Sequence, residues 1–201
     1  MATACLFAGG AVLASGLVTA DAPRVLPPPV RHTTATTAPP FVPGTPRLPA
    51  APPDRLIIGA IGLDTRIEAV GLAPNGSVAM PGDADRAAWY ADSPTPGANG
   101  NAILAGHVDS AVGPAAFYNL HTLEPGDLIE ITRRDGRSVH FTVRTMRVWP
   151  AESFPSEEVY ALTTYPRLTI LTCAEWDKST RSYRSNLVIT ASPHTDRQTS
   201  H

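Results

Sequence analysis

From about residue 54 onward the chain is a succession of short β-prone runs separated by turns, and this spacing limits the folds it can adopt. Residues 55–61 and 65–70 are runs of strand length, Pro74-Asn75-Gly76 is a turn signal, and residues 77–80 begin a further strand. No internal repeat or long heptad run is present. The pattern therefore predicts an all-β barrel or sandwich with one or two short helices.

The second half continues this pattern. Residues 128–132 and 138–147 are predicted to form a hairpin around Asp135-Gly136. A short helix is predicted near residues 115–120, and another begins at Ser156-Glu157-Glu158, where acidic residues favour a helix start. Trp89-Tyr90 is interpreted as core rather than cleft wall.

The segment 168–191, LTILTCAEWDKSTRSYRSNLVITA, contains two β-type runs around a polar loop. Alternation places Thr169, Leu171 and Cys173 on one face, with Cys173 at the last position of the first run. It is the only cysteine outside the first five residues, so it has no disulfide partner in the folded part of the chain. A thiol at a strand end is well placed to act as a nucleophile, and the alternative is a small buried hydrophobe.

A second candidate stands in AILAGHVDS at 102–110, where an apolar strand ends in Gly-His. Two strand ends that carry His107 and Cys173 favour a shared cleft, although a lone histidine is more often structural. A metal site of His107, Asp109 and Cys173 is a minor alternative, because no further ligand is evident.

A catalytic thiol needs a cationic or imidazole neighbour, because a free thiol is mostly protonated at neutral pH. Arg181 and Arg184 are nearby in sequence, and alternation places Arg184 and Asn186 on one face. If the two runs are neighbouring strands, Arg184 lies across from Cys173. The alternative for either arginine is a solvated surface charge.

The N-terminal third differs in composition. Residues 1–20 include an uncharged run over 5–20 that would span roughly 24 Å as a helix. This length is intermediate between that of the apolar region of a signal peptide and that of a membrane anchor, so either is predicted. Residues 21–53 are rich in proline and form a predicted linker, which leaves one domain over 54–193 and a tail over 194–201. The net charge of −2 and the absence of a basic stripe argue against nucleic-acid binding.

Two long motifs, AILAGHVDSAVGPAAFYNLHTLEPGDLIEIT at 102–132 and the segment 168–191, together resemble sortases of the actinobacterial class F type, with class E as a neighbouring possibility. RLIIGAIGLDTRIEAVGL at 55–72 and WYADSPTPG at 89–97 support the resemblance, which covers about 54–193. It implies a closed β-barrel of about eight strands with one or two short helices, and a sortase catalytic domain over 54–193.

The resemblance also implies a function. A sortase is a cysteine transpeptidase that cleaves an LPXTG-like sorting signal of a surface protein and transfers the acyl group to an amine acceptor of the peptidoglycan or a pilin. The protein would be exported, held to the membrane through its N-terminus at the extracellular face or cell wall, and would need no cofactor or metal. His107 and Cys173 match the family's catalytic pair.

The third catalytic residue is less directly matched. An ungapped alignment from the cysteine to the end of the last strand places the arginine of the best-studied sortase type at Asn186. Arg184, two residues earlier on the same face, is the chosen catalytic residue, and Arg181 is the alternative.

Two other functions compete with this one. The first is another exported Cys/His enzyme such as an L,D-transpeptidase, but His107 and Cys173 lie 66 residues apart and the compact S-H-G-C type motif of that family is absent. The second is a non-catalytic, wall-associated binding module in which Cys173 is inert.

Overall fold

Eight strands close into a barrel in the computed structural model, which describes residues 48–195. The strand order is β1-β2-β3-β4-β9-β10-β8-β7, and β7 pairs with β1. The β2–β3 and β4–β9 pairs are parallel, and the others are antiparallel. The strands are β1 (Pro53–Ile58), β2 (Leu63–Val70), β3 (Ala87–Tyr90), β4 (Gly100–Gly106), β7 (Leu128–Arg133), β8 (Ser138–Pro150), β9 (Pro166–Asp177) and β10 (Ser182–Pro193). The predicted all-β fold and closed barrel are confirmed.

Short elements connect the strands. A two-stranded ribbon pairs β5 (Asp109–Ser110) with β6 (Gly113–Pro114), and the one α-helix within residues 48–195 is α1 (Ser156–Val159). Single 3₁₀ turns span Gly59–Ile61, Tyr118–Thr122 and Ala151–Ser153. The helical content is therefore as low as the sequence predicts.

The barrel interior is filled by aliphatic and aromatic side chains that alternate along the strands. Leu168 and Ile170 of β9, and Leu187 and Ile189 of β10, are buried in this main core. Because successive side chains of a strand point to opposite faces, the residues between them lie on the outer face. The predicted core position of Trp89 is confirmed.

A second buried cluster lies on that outer face. Leu171 of β9 and Val188 of β10 pack there with Ile103 and Ala105 of β4. Loop residues complete the cluster, among them Val78, Met80, Phe154 and Tyr160. This part of the barrel wall is consequently apolar on both sides, and it is the part that carries the candidate site.

Some predicted elements were wrong in extent or type. Residues 77–80 form no strand: Val78 makes a single bridge to Leu72 and packs onto the barrel from outside. The run 55–61 ends as a strand at Ile58, because the chain reverses at Gly62, whose φ of 65° is in the left-handed region. The helix predicted near 115–120 is the 3₁₀ turn Tyr118–Thr122. The 128–132 and 138–147 hairpin and the helix start at Ser156 were right.

The prediction that Cys173 is the last residue of its strand was also wrong. β9 continues to Asp177, because β10 pairs with it as far as Ser182. The rings of Trp176 and Tyr183 meet edge to face in this extension, with their centroids 5.0 Å apart. The polar loop is thereby reduced to residues 178–181.

The chain before β1 is fastened to the barrel by a buried arginine. Arg133 at the end of β7 is 1% exposed, and its guanidinium donates to the Pro96 carbonyl (3.2 Å), to the Pro49 carbonyl and to Asp135 (3.2 Å). The predicted signal or anchor over 1–20 and most of the predicted linker over 21–53 lie outside the described residues. Within residues 48–195 no helix is long and apolar enough to cross a membrane.

Candidate active site

Cys173 lies on the outer face of β9 and lines a groove there. Period-two alternation places it on the same face as Leu171, as predicted, and its side chain is 7% exposed. The hydroxyl of the preceding residue, Thr172, donates to the Gly106 carbonyl of the neighbouring strand β4 at 2.8 Å. The thiol is therefore held on a strand whose position relative to β4 is fixed.

His107 follows the end of β4, which pairs in parallel with β9, the strand of Cys173. The last pair of this register is Ala105 with Leu171, so His107 and Cys173 each lie two residues beyond it. His107 directly follows β4, is half-buried, and its Nε2 lies 3.1 Å from the Pro81 carbonyl oxygen. This register is compatible with the predicted shared cleft of the two residues, which lie 66 positions apart in sequence, and the shared cleft stays a prediction.

Asn186, and not Arg184, lies directly across from Cys173 on β10. The expectation that Arg184 occupies that place was wrong, because the register of the hairpin pairs Ser185 with Ala174 and Asn186 with Cys173. Arg184 is two residues before Asn186 on the same face of β10 and is therefore a diagonal neighbour of Cys173. Residues in this diagonal relation are about 7–8 Å apart.

The side chain of Arg184 is 70% exposed, and its Nη1 lies 3.6 Å from Asp177 Oδ2. Hydrogen bonds from the Ser179 hydroxyl and amide, helped by the charge of Arg184, hold the pKa of Asp177 below its ordinary value. The carboxylate is therefore ionised at neutral pH and anchors the hairpin end. Because solvent screens an ion pair at the protein surface, the guanidinium can exchange Asp177 for another acceptor at little cost.

Arg181 occupies the hairpin turn with a φ of 52° and is exposed. It is one of two residues with left-handed backbone that are not glycine within residues 48–195; the other is Glu175, which accepts a hydrogen bond from the Ser185 hydroxyl. Neither arginine is among the residues that line the groove.

The groove beside Cys173 is open to solvent, and the space in it that the centre of a water molecule can occupy is about 40 Å³. Its floor is the outer face of the barrel, and its walls come from two loop segments that the sequence did not identify as site residues. The lining residues are Ser77, Val78, Met80, Ala105, Phe154, Ser156, Tyr160, Leu171, Thr172, Cys173 and Asn186. An elongated apolar ligand fits such a surface, since pockets of this type combine apolar walls with a few polar groups.

A buried polar network holds the second wall in place. The Asn101 amide on β4 donates to the Val159 carbonyl of α1 at 2.9 Å and accepts from the Thr169 hydroxyl of β9 at 2.7 Å. Asn101 and Thr169 are both buried, so each bond replaces water that is excluded. The wall formed by Phe154, Ser156 and Tyr160 is therefore tied to the strands that carry His107 and Cys173.

Within residues 48–195 no three His, Cys, Asp or Glu side chains converge in a manner that suits a metal ion. His107, Asp109 and Cys173 consequently do not form the metal site considered as a minor alternative. The groove itself offers a thiol, an amide and hydroxyl groups, whereas the imidazole of His107 and the guanidinium of Arg184 are not among its lining groups.

Comparisons with known proteins agree with this architecture. The sortase D5 transpeptidase of Clostridium perfringens aligns with a TM-score of 0.52 and 20% identity over 73% of this chain and 79% of that chain. Sortase C1 of Streptococcus agalactiae, in a complex with MTSET, aligns with a TM-score of 0.55 and 20% identity over 73% and 69%. Sortase A from Corynebacterium diphtheriae aligns with a TM-score of 0.54 and 17% identity over 77% of this chain and 66% of that chain.

At these identities the structural matches establish the fold alone. No sequence among the curated proteins matches the chain. The model of the sortase domain, in contrast, matches residues 56–194 and so includes every strand from β2 to β10 as well as the second half of β1. By this match over more than half of its length, the chain belongs to the sortase family.

Proposed function

We propose that this protein is a cysteine transpeptidase of the class F type in which Cys173 is the nucleophile, His107 the acid and base, and Arg184 the cation. The observation that supports the proposal is the parallel pairing of β4 with β9, whose last pair, Ala105 and Leu171, lies two residues before His107 and Cys173. Membership of the sortase family supports the same chemistry.

In the first half-reaction the Cys173 thiolate attacks a backbone carbonyl carbon of the substrate and forms a tetrahedral intermediate. The intermediate collapses to a thioester as the bond to the peptide nitrogen breaks. His107 donates its proton to that nitrogen, so the C-terminal part of the substrate leaves as a neutral amine.

In the second half-reaction an amine acceptor enters the groove. His107, now neutral, removes a proton from the amine as its nitrogen attacks the thioester carbonyl. Collapse of the second intermediate forms a new amide bond and returns the electron pair to the Cys173 sulfur. The histidine is thus returned to its starting protonation state without any other reactant.

Arg184 would stabilise the negative charge on the intermediates or bind the substrate backbone. Its side chain is long enough to turn from Asp177 towards the groove, and the exposed pair that it leaves is weak. Two features favour Arg184 over Arg181: it shares a strand face with Asn186, and it lies closer to Cys173 along the hairpin.

The substrate class proposed is an LPXTG-like sorting signal of a surface protein, and the acceptor is an amine of the peptidoglycan or of a pilin. Apolar walls formed by Val78, Met80, Phe154 and Leu171 suit the apolar residues of such a peptide. The proposed organisation has a signal peptide or anchor over 1–20, a linker over 21–53 and the catalytic domain over 54–193, with the protein at the extracellular face of the membrane or in the wall.

The direct test is mass spectrometry of the purified protein after incubation with an LPXTG peptide, with and without an amine acceptor. We expect an acyl adduct on Cys173 that the amine discharges, and no adduct on Cys173→Ala at an unchanged melting temperature. No adduct on the wild-type protein, together with a thiol no more reactive than free cysteine, would identify a non-catalytic binding module instead.

The choice between the two arginines needs a separate comparison. Arg184→Ala is expected to lower the acylation rate by about 10²-fold or more, as loss of an oxyanion donor does, whereas Arg181→Ala should remain near the wild-type rate. The opposite ranking would assign the cation to Arg181, and equal mild effects would exclude both.

A further inference from the structure

Asn186 presents a buried hydrogen-bond donor that has no acceptor within the described part of the chain. Its side chain is 4% exposed, lines the groove, and lies directly across from Cys173, which places their Cβ atoms about 4.5–5.5 Å apart. The Nδ2 atom makes no hydrogen bond there. Buried amides in native proteins are almost always paired, so an unpaired one next to a thiol calls for an explanation.

The immediate surroundings account for the missing bond. Much of the groove lining is apolar, and it includes Leu171 on the adjacent strand β9 and Ala105 on β4 beyond it. The hydroxyls of Thr172 and Ser185 donate to the Gly106 carbonyl and to Glu175, and neither of them accepts a hydrogen bond from Nδ2 of Asn186. The acceptor for Asn186 is therefore supplied by whatever occupies the groove.

We propose that Nδ2 of Asn186 donates to the substrate carbonyl oxygen that becomes negatively charged when Cys173 attacks. This inference rests on the proposed function and adds a catalytic residue to it. The carbonyl carbon must come within bonding distance of the sulfur, and its oxygen then lies within reach of the side chain directly across from Cys173. A fixed donor in an apolar groove stabilises such an oxygen most strongly, because it exchanges no water when the charge forms.

An amide in this place also has a use in the resting protein. A carboxylate or a lone arginine would bring a buried net charge to the apolar groove, whereas a neutral amide does not. An unsatisfied donor still destabilises the free enzyme, and the substrate oxygen removes that penalty only when it is present. The arrangement is therefore expected to exchange stability for rate.

The test compares two reactions of the same thiol. Attack on a peptide carbonyl creates an oxyanion, whereas alkylation by iodoacetamide displaces iodide at a CH₂ group and creates none. Asn186→Leu keeps the number and branching of side-chain heavy atoms but removes the donor. We expect it to slow acylation by an LPXTG peptide by about 10²–10³-fold, to change alkylation by less than about threefold, and to leave Tm unchanged or raised.

Steady-state kinetics add a second criterion. An interaction made only in the transition state lowers kcat and kcat/KM equally, and this is the expected result for Asn186→Leu. A raised KM at unchanged kcat would mean that the amide only binds the ground state, and it would overturn the assignment. Asn186→Asp, which replaces the donor by a carboxylate, is expected to be at least as slow as Asn186→Leu.

Val188→Ala is the matched control, because Val188 is the next residue on the same face of β10 and carries no donor. It should lower Tm while slowing acylation and alkylation alike by no more than a few-fold. If Asn186→Leu also slows both reactions equally, its role is structural and the inference fails. Wild-type protein that does not acylate would overturn the proposed function and this inference together, whereas equal acylation of wild type and Asn186→Leu would overturn the inference alone.

Discussion

Gly106, the residue before His107, is the position at which a single methyl group should disturb the site most directly. A Cβ atom placed on Gly106 would lie 2.6 Å from two ring atoms of Phe117 and 2.8 Å from a third. Carbon atoms in contact are normally about 3.5–4.0 Å apart, so Gly106→Ala requires a displacement on the order of 1 Å. Phe117 is fully buried in the main core and cannot swing into solvent.

The displacement cannot be confined to the ring. The Phe117 amide donates to the His107 carbonyl at 2.9 Å, and the Gly106 carbonyl accepts from Thr172 at 2.8 Å. Movement of Phe117 therefore strains its bond to His107, and movement of Gly106 strains the link to the strand of Cys173. Either adjustment changes the position of the imidazole relative to the thiol.

The cost follows from two opposing terms. Overpacking of a core costs about 1–3 kcal/mol, and replacement of glycine by alanine in a strand returns about 0.5–1 kcal/mol of backbone entropy. Gly106→Ala should therefore destabilise the protein by about 1–2 kcal/mol, which lowers Tm by roughly 2–8 °C. A 1 Å misplacement of a catalytic group can reduce the rate about 10²-fold, so transpeptidation should fall more than stability suggests.

The assay is a double-mutant cycle with Phe117→Leu, read by thermal or denaturant unfolding. Leucine removes the ring atoms that meet the new methyl group, so the double variant should be more stable than the sum of the single effects by about 1–2 kcal/mol. Gly71→Ala is the control, because no atom lies within 4 Å of its Cβ position and the change should be neutral. Additivity within about 0.5 kcal/mol would refute the proposed contact.

Three further predictions concern the barrel end and the hairpin. Arg133→Met should lower the free energy of unfolding, measured by chemical denaturation, by about 2–4 kcal/mol, because two backbone carbonyls lose their buried donor. The control is Arg134→Met at the exposed neighbouring position, which should change the free energy of unfolding by less than about 0.5 kcal/mol. Arg181→Gly should raise it by about 0.5–1 kcal/mol, since glycine adopts a φ of 52° without strain; a loss would contradict that strain. The depressed pKa of Asp177 stabilises the hairpin above the ordinary aspartate pKa of about 3.9, and this is lost as the pH falls through the lower folded value. The NMR shift of the Ser179 amide should accordingly stay constant from pH 8 to about pH 4, and a midpoint above 4 would contradict the prediction.

The sequence was sufficient to predict the strand face that carries Cys173, but it was not sufficient to predict which residue of the neighbouring strand lies across from it. Alternation along 168–173 correctly placed Cys173 on the same face as Leu171, and the two apolar runs that precede His107 and Cys173 are neighbouring parallel strands. The residue opposite Cys173 depends on the length of the hairpin turn. That turn has Arg181 at its left-handed position, where a glycine or asparagine would have been the recognisable signal.

The groove walls were missed for a related reason. Val78 and Met80 alternate with small residues, and such alternation is the pattern of a strand. The same alternation arises when a loop lies against the outside of a barrel and buries every second side chain there. Local sequence cannot distinguish these two situations, because they differ only in whether the backbone pairs with another strand.

Along β9, residues that stabilise the barrel alternate with residues that face the groove. Ile170 fills the interior, and Leu171 faces the groove on the opposite side. The next two positions repeat the division, since Thr172 fixes β9 to β4 and Cys173 carries the thiol. Because interior aliphatic residues maintain the barrel, the outer face can hold an unpaired amide and an exposed guanidinium without loss of the fold. Substitutions along this strand should therefore alternate between effects on unfolding and effects on turnover.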